Sequence, residues 1–192
     1  MRRKLIVMVK EPRPGRVKTR LGRDIGLVPA AWWFRHQSAR LIRQLRDPRW
    51  DLVLAVAPDR EGLGSRVWPG DLPRLPQGHG DLGARMVRVM RAAAGPVCIV
   101  GADIPGLRAV HVARAFAALG DHDAVFGPAT DGGYWLIGAR HPRRLPHRAL
   151  RGVRWSGPHA LSDSRATLPG HRIALIDRLA DVDTAADLNA AP

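Results

Sequence analysis

The sequence predicts an α/β fold, one domain over residues 1–192 built on a mostly parallel, doubly wound sheet. Three observations predict it. Short apolar runs alternate along the chain with segments of helical period, the pattern of β-α-β units. One run, Val97–Val100, is continuously apolar, as a strand covered on both faces of a parallel sheet must be. Finally, apolar runs stop at a charge, glycine or proline, as at Lys10 and Gly101, where such sheets place their ligands.

Taken in order, Lys4–Val9 reads as the first strand. Pro29–Leu45 reads as a long helix with Trp32, Trp33, Leu41, Ile42 and Leu45 available to a core face. Asp51–Ala57 is a second strand, and a Pro/Gly-rich loop follows through Gly70, Pro73, Pro76 and Gly80. Asp81 then caps a helix in which Leu82, Met86, Val89, Met90 and Ala93 recur at helical spacing. Gly95-Pro96 stops it before the strand Val97–Val100. Val110–Leu119 reads as a helix, Ala124–Gly127 and Tyr134–Ile137 as strands, and Ile173–Ile176 as the last strand. Asp183–Asn189 forms a short C-terminal helix. The stretch from His141 to Pro158 is basic and weakly patterned, and no repeat, linker or domain boundary stands out.

Bulk numbers bound the function. Apolar content of 45% and charged content of 25% are those of an ordinary globular protein. No stretch of eighteen apolar residues occurs, so no membrane span is expected. The basic start Met1-Arg2-Arg3-Lys4 precedes only five apolar residues, too few for a secretory signal, so a cytoplasmic protein is expected. The one cysteine, Cys98, reads as a small buried hydrophobe. The formal net charge of +14 raises the question of nucleic acid. Against it, the arginines spread along the whole chain, and one tyrosine and three phenylalanines supply no stacking platform. No nucleic-acid partner is therefore expected, and the clustered part of the charge is assigned to an anionic substrate.

That cluster is the loop after the first strand, Lys10-Glu11-Pro12-Arg13-Pro14-Gly15-Arg16-Val17-Lys18-Thr19-Arg20. Only three of the 31 Lys and Arg residues are lysines, and two of those, Lys10 and Lys18, lie here. A lysine is a compact point charge suited to a phosphate oxygen. Gly15 lets the backbone turn, and Arg16 and Arg20 add charge, so the loop reads as a phosphate binder. It is not a Walker A loop, because Pro12 and Val17 stand where glycines are required.

Asp103, in Gly101-Ala102-Asp103-Ile104-Pro105-Gly106-Leu107, sits at the tip of the buried strand. It caps the turn before Pro105, or it holds Mg²⁺ or Mn²⁺ bridging to substrate phosphates. The neighbouring cationic loop favours the metal. Asp131-Gly132-Gly133, before Tyr134, is a tight turn that either closes a hairpin or brings backbone N–H groups and a carboxylate to a ligand. Gly80 and Asp81 open a helix after a glycine-rich loop, an anion-friendly end. Gly83 is unexpected in a first helical turn, where close packing against a ligand or a tolerated defect would account for it. In Asp181-Val182-Asp183-Thr184, Asp183 is expected to cap the last helix and Asp181 to serve as a second metal ligand. His79 and His159 read as surface histidines.

These motifs together resemble the nucleotide-diphospho-sugar transferase superfamily, of GT-A-like, Rossmann-like fold. The closer likeness is to the small family called DUF2064, associated by name with arsenosugar-type glycosyltransferases. It rests on K-x-P-x-P-G-x-V-K-T-R-L at Lys10–Leu21, G-D-L-G-x-R-M at Gly80–Met86 and G-x-D-x-P-x-L at Gly101–Leu107. G-P-x-x-D-G-G-Y at Gly127–Tyr134 and D-V-D-T at Asp181–Thr184 complete it. The resemblance implies that Lys10, Arg16 and Lys18 contact nucleotide phosphates and that Asp103 holds the metal. It places Asp131, Gly132 and Gly133, with Tyr134, on the acceptor or sugar side. Gly157 after Trp155-Ser156 departs from the threonine typical of the family, so this loop, which would shape the acceptor pocket, is where the acceptor differs most.

Two chemistries fit this frame. In one, Lys18 and Asp103 are the catalytic pair of a glycosyltransferase that moves a sugar from a nucleotide sugar to a small-molecule acceptor. In the other, the chain resembles 2-phospholactate guanylyltransferases and couples a nucleoside triphosphate to a phosphorylated small molecule. The expectation leans to the sugar. A nucleotide-binding protein without turnover is the third reading, opposed by the complete set Lys10, Lys18 and Asp103.

Overall fold

Lys4–Lys10 (β1) is the strand on which the rest is laid, with Leu5, Val7 and Val9 facing one layer of helices and Ile6 and Met8 the other. The computed structural model describes residues 2–190. After β1 the elements run α1 (Thr19–Ile25), α2 (Leu27–Gln44), β2 (Asp51–Ala57), α3 (Asp59–Gly64) and β3 (Arg74–Pro76). Then come α4 (Leu82–Arg91), β4 (Val97–Val100), α5 (Ala109–Ala118), β5 (Ala124–Pro128) and β6 (Tyr134–Ala139). A 3-10 turn at Pro142–Arg144, α6 (Ala160–Ala166), β7 (Ile173–Leu175) and α7 (Ala185–Ala190) complete the chain. Among the described residues seven strands form one sheet in the order β3-β2-β1-β4-β6-β5-β7.

All neighbours in the sheet pair in parallel except where β6 is involved. The reason lies in the connection: only Ala129–Gly133 separates β5 from β6, far short of the dozen residues a parallel crossover needs. Asp131-Gly132-Gly133 is therefore a chain-reversing turn. Strand order reverses between β1 and β4, so the loops leaving their C-terminal ends diverge and open a crevice.

Two apolar layers sandwich the sheet. On one face Phe34, Leu41 and Ile42 of α2 and Leu45 just past its end, with Val112 and Phe116 of α5, cover Leu5, Val7, Leu54 and Val100. On the other, Met86, Val89, Met90 and Ala93 cover Ile6, Val53, Ile99 and Phe126. Cys98 lies in the first of these layers, and burial pushes its thiol pKa up. Trp32 is not part of the core: it is 57% exposed and stacks on His36. The buried stripe of α2 includes Phe34, Ser38 and Leu41, and Trp32 projects from the side of the helix opposite Leu41.

Three short helices and a strand fall where the sequence reads as loop: α1, α3, α6 and β3. Each is seven residues or fewer, too short to show a period, and each is held by tertiary contacts. Arg74 of β3 does this for the Pro/Gly-rich stretch. Its guanidinium donates to the carbonyls of Gly62 (3.3 Å), Leu63 (2.8 Å), Ser65 (2.8 Å) and Trp68 (2.9 Å). Replacing Arg74 by methionine keeps the stem and leaves these acceptors to find water. The expected cost is about 2–3 kcal/mol in urea unfolding, and a loss below 1 kcal/mol would show that the loop holds itself.

Candidate active site

Three strand ends deliver the site. β1 ends at Lys10 and feeds the loop 11–18, β4 ends one residue before Gly101 and presents Asp103, and the chain after β7 returns with Asp181 and Asp183. Leu179 is drawn to the tip of β5 by a bridge with Ala129 and by its N–H, which donates to the Pro128 carbonyl at 3.2 Å. The Val182 N–H donates to the Asp103 carbonyl at 3.3 Å, which sets the two acidic segments side by side.

Asp103, Asp181 and Asp183 thus form one cluster, with a carboxylate oxygen of each within 4.8 Å of the others. The Lys18 ammonium enters it, 2.5 Å from Asp103 Oδ2 and 2.7 Å from Asp183 Oδ1. Its side chain is only 7% exposed, although Arg16, Thr19 and Arg20 around it are all exposed. Burial opposes its charge, but the charges and hydrogen bonds of Asp103 and then Asp183 outweigh it, leaving Lys18 above its ordinary pKa. Arg20 adds a second cation to Asp183 at 3.2 Å from the exposed side. Asp181 accepts no such help. Its pKa is pushed up to about 6, first by burial and then by repulsion from Asp103 and Asp183, with Lys18 pulling the other way.

The sequence predicts Asp183 as the cap of the last helix, and the structure corrects this. Thr184 and Asp187 do the capping: the Thr184 hydroxyl accepts from the Asp187 N–H at 3.3 Å, and the Asp187 carboxylate accepts from the Thr184 N–H at 2.8 Å. That leaves the Asp183 carboxylate to Lys18 and Arg20. An Asp one residue before a competent Thr cap is the signal that could have found it.

A cavity of about 570 Å³ lies over these groups. Lys10, Arg16, Lys18 and Arg20 line one end, and Asp103, Asp131, Asp181 and Asp183 stand against them. Gly133, Tyr134, Trp155 and Ser156 complete the far wall. The cation loop is laced to α3 through Glu61, which pairs with Arg13 (3.2 Å) and Arg16 (3.5 Å). Lys10, exposed at the end of β1, has no carboxylate partner among the described residues. Arg85, which the sequence reading did not single out, reaches the cavity from the first turn of α4. It is held by Gln77 Oε1 at 3.2 Å. Gln77 is itself buried, its amide nitrogen donating to the carbonyls of Val9 (3.0 Å) and Ala55 (2.8 Å).

Four sequence-selected residues stand outside the lining. Gly15 shapes the loop with φ +74°, and Gly80 leads into α4 with φ +105°. Asp81 spends its carboxylate on the cap of α4, accepting the Ala84 N–H at 2.8 Å. Gly132 serves packing: a Cβ there would fall 2.4 Å from the Pro158 carbonyl oxygen. Gly83 is explained in the same way, since a Cβ would fall 2.3 Å from the Leu150 carbonyl oxygen and 2.9 Å from the Trp155 ring. Tyr134 lines the cavity, but its hydroxyl is taken up within the protein. Its hydroxyl accepts from Ser164 at 3.2 Å, its ring meets Phe126 and Trp155 edge-on, and burial pushes its pKa up. His79 and His159 are both exposed, outside the lining.

The donor set fits a hard divalent cation. Three carboxylates without thiol or imidazole are the ligands Mg²⁺ and Mn²⁺ favour, and nothing among the described residues hydrogen-bonds the Asp181 carboxylate. The far wall is checked by Gly132→Ala, which combines a positive φ of 90° with the clash against Pro158. It is expected to cost about 2–4 kcal/mol in chemical denaturation and to loosen Trp155 and Ser156. A fully stable variant would show that the turn does not hold that wall.

The family model described as "Uncharacterized protein conserved in bacteria (DUF2064)" matches residues 40–157. Among solved structures, a candidate nucleotide-diphospho-sugar transferase from Desulfovibrio desulfuricans G20 is 30% identical with a TM-score of 0.84, over 98% of this chain and 85% of that one. A nucleotidyl transferase from Methanothermobacter thermautotrophicus shares the fold at 15% identity and a TM-score of 0.63, covering 99% and 96%. So does a Mycobacterium tuberculosis H37Rv protein solved with manganese, at 13% identity and 0.57, covering 100% and 98%. No curated protein matches the chain. The match over more than half of the chain, joined to the 30% identity across nearly all of it, settles the membership: the chain belongs to the DUF2064 family and carries the nucleotide-diphospho-sugar transferase fold.

Proposed function

We propose that the protein is a metal-dependent transferase acting on a nucleotide-activated donor, and specifically a glycosyltransferase that uses a nucleotide sugar and a small-molecule acceptor. The observation that carries this reading is the pairing of a cationic loop with a three-carboxylate cluster across one cavity at the switch point of the sheet. The description of the Desulfovibrio relative supports it. Nucleotidyl transfer is the second reading, favoured by the lysine-bearing first loop and by the Methanothermobacter structure of the same fold.

Asp103, Asp181 and Asp183 would hold Mg²⁺ or Mn²⁺, and the manganese-bound Mycobacterium structure of this fold supports that choice. When bound, the ion supplies positive charge to a departing diphosphate or pyrophosphate. Lys10 and Arg16 bind the phosphates from the β1 side and hold the donor's leaving group in place. Asp131 and the Gly133 backbone, with Trp155 and Ser156, orient the acceptor on the far wall and limit the water that competes with it. Among the described residues no helix is long and apolar enough to cross a membrane.

Thermal unfolding with Mn²⁺ against nucleotide sugars and nucleoside triphosphates tests the reading. A shift of several degrees with one nucleotide sugar, and little with triphosphates, is expected. A preference for one triphosphate would establish nucleotidyl transfer instead, and a flat panel would overturn the nucleotide site. Asp103→Asn is expected to abolish Mn²⁺-dependent nucleotide binding with the fold intact, and unchanged affinity would remove Asp103 from the site. Lys10→Ala should weaken a nucleoside diphosphate about 10–100-fold, the worth of one charged hydrogen bond, and leave the nucleoside unaffected. Equal losses for both would make the loop structural.

A further inference from the structure

Lys18 is bound where a phosphate-binding lysine should not be. Its ammonium is committed to Asp103 and Asp183 and withdrawn from water, while Lys10 stays exposed on the same cavity. The backbone is arranged for this. Lys18 has φ 45° and ψ 47°, one of three described residues other than glycine with positive φ. That conformation costs an ordinary residue about 1–3 kcal/mol and persists only where surrounding contacts over-determine it. Here the Lys18 carbonyl accepts the Gly22 N–H at 2.8 Å as α1 begins, which holds the backbone independently of where the side chain points.

We propose that Lys18 is the resident cation of the acid cluster, an internal competitor that a divalent ion displaces, and that the displaced ammonium then serves as a phosphate-binding group. The inference rests on the divalent-ion reading of the cluster. Three carboxylates against one ammonium leave the cluster with excess negative charge, and Arg20 relieves it only from the solvent side. The ammonium and a divalent ion draw on the same oxygens of Asp103 and Asp183 and repel each other. The ion brings twice the charge, so it holds the acids and the ammonium gives way. Lys18 already lines the cavity with Lys10 and Arg16, so rotation about its four-carbon stem, without movement of the chain, carries Nζ to the phosphate side. Ion binding thereby precedes and prepares phosphate binding.

Two measurements on the full chain test this. The first uses the wild-type protein and an amine-reactive reagent read by mass spectrometry, since Lys4, Lys10 and Lys18 are the only lysines. Lys18 should react slowly alone and at least fivefold faster with saturating Mn²⁺, with Lys4 unchanged. Fast labelling without the ion, or equal labelling with it, would overturn the proposal. The second is calorimetric titration of Mn²⁺ alone into wild type, Lys18→Met and Lys18→Arg. Lys18→Met should bind Mn²⁺ at least tenfold tighter and Lys18→Arg should stay near wild type, because the charge and not the bulk competes. Equal or weaker binding by Lys18→Met would overturn the proposal and leave the metal reading standing. Absence of Mn²⁺ binding in all three would overturn both. The labelling arm decides the matter even if Lys18→Met does not fold.

Discussion

Three loops from distant parts of the sequence meet on one ammonium. Lys18 comes from the loop after β1, Asp103 from the tip of β4, and Asp183 from the return after β7, 165 residues further along the chain than Lys18. A lysine so withdrawn from water is tenable only with carboxylates in contact, and a cluster of carboxylates so close is tenable only with a cation among them. Each therefore depends on the other. Lys18 takes the αL backbone as α1 starts one residue later, and the chain past Asp183 runs directly into α7.

The same constraint divides the cavity. One end is cationic and held from outside, with Glu61 anchoring Arg13 and Arg16 so that the loop keeps its shape against its own repulsion. The other end is built by close packing rather than charge. Gly83 and Gly132 let α4 and the β5–β6 turn approach the segment 150–158 within distances no side chain would allow, and Tyr134 and Trp155 fill the space between. A net charge of +14 does not spread evenly over this site. Four carboxylates gather there, out of 17 acidic residues in a strongly basic chain, which is the arrangement a divalent ion and a phosphorylated ligand would share.

Local information carried the parts of this protein that are local. The apolar runs of β1, β2 and β4 are legible because each strand is buried on both faces and must be apolar throughout. Asp81 is legible as a cap because a cap needs only its own next three residues. The site loops are legible because they begin where those strands stop, and most of the residues chosen from them reach one cavity. What is short or non-local was missed. The helices α1, α3 and α6 are too short to declare a period, and Arg85 depends on Gln77, which depends in turn on two carbonyls of neighbouring strands.

By itself, then, the amino-acid sequence determined the α/β class, the central strands, the cationic loop and the acids at the strand tips. Each of these is written within a dozen consecutive residues, as apolar run, turn chemistry and charge. Only the tertiary structure decided that β6 stands between β4 and β5, that Asp183 faces the cavity and not the helix behind it, and that Gly83 and Gly132 lie where a Cβ would strike the segment 150–158. It alone decided that Lys18 rests on carboxylates. Those outcomes turn on which of several equally polar partners comes within about 3 Å, a distance set by packing between segments far apart in the chain.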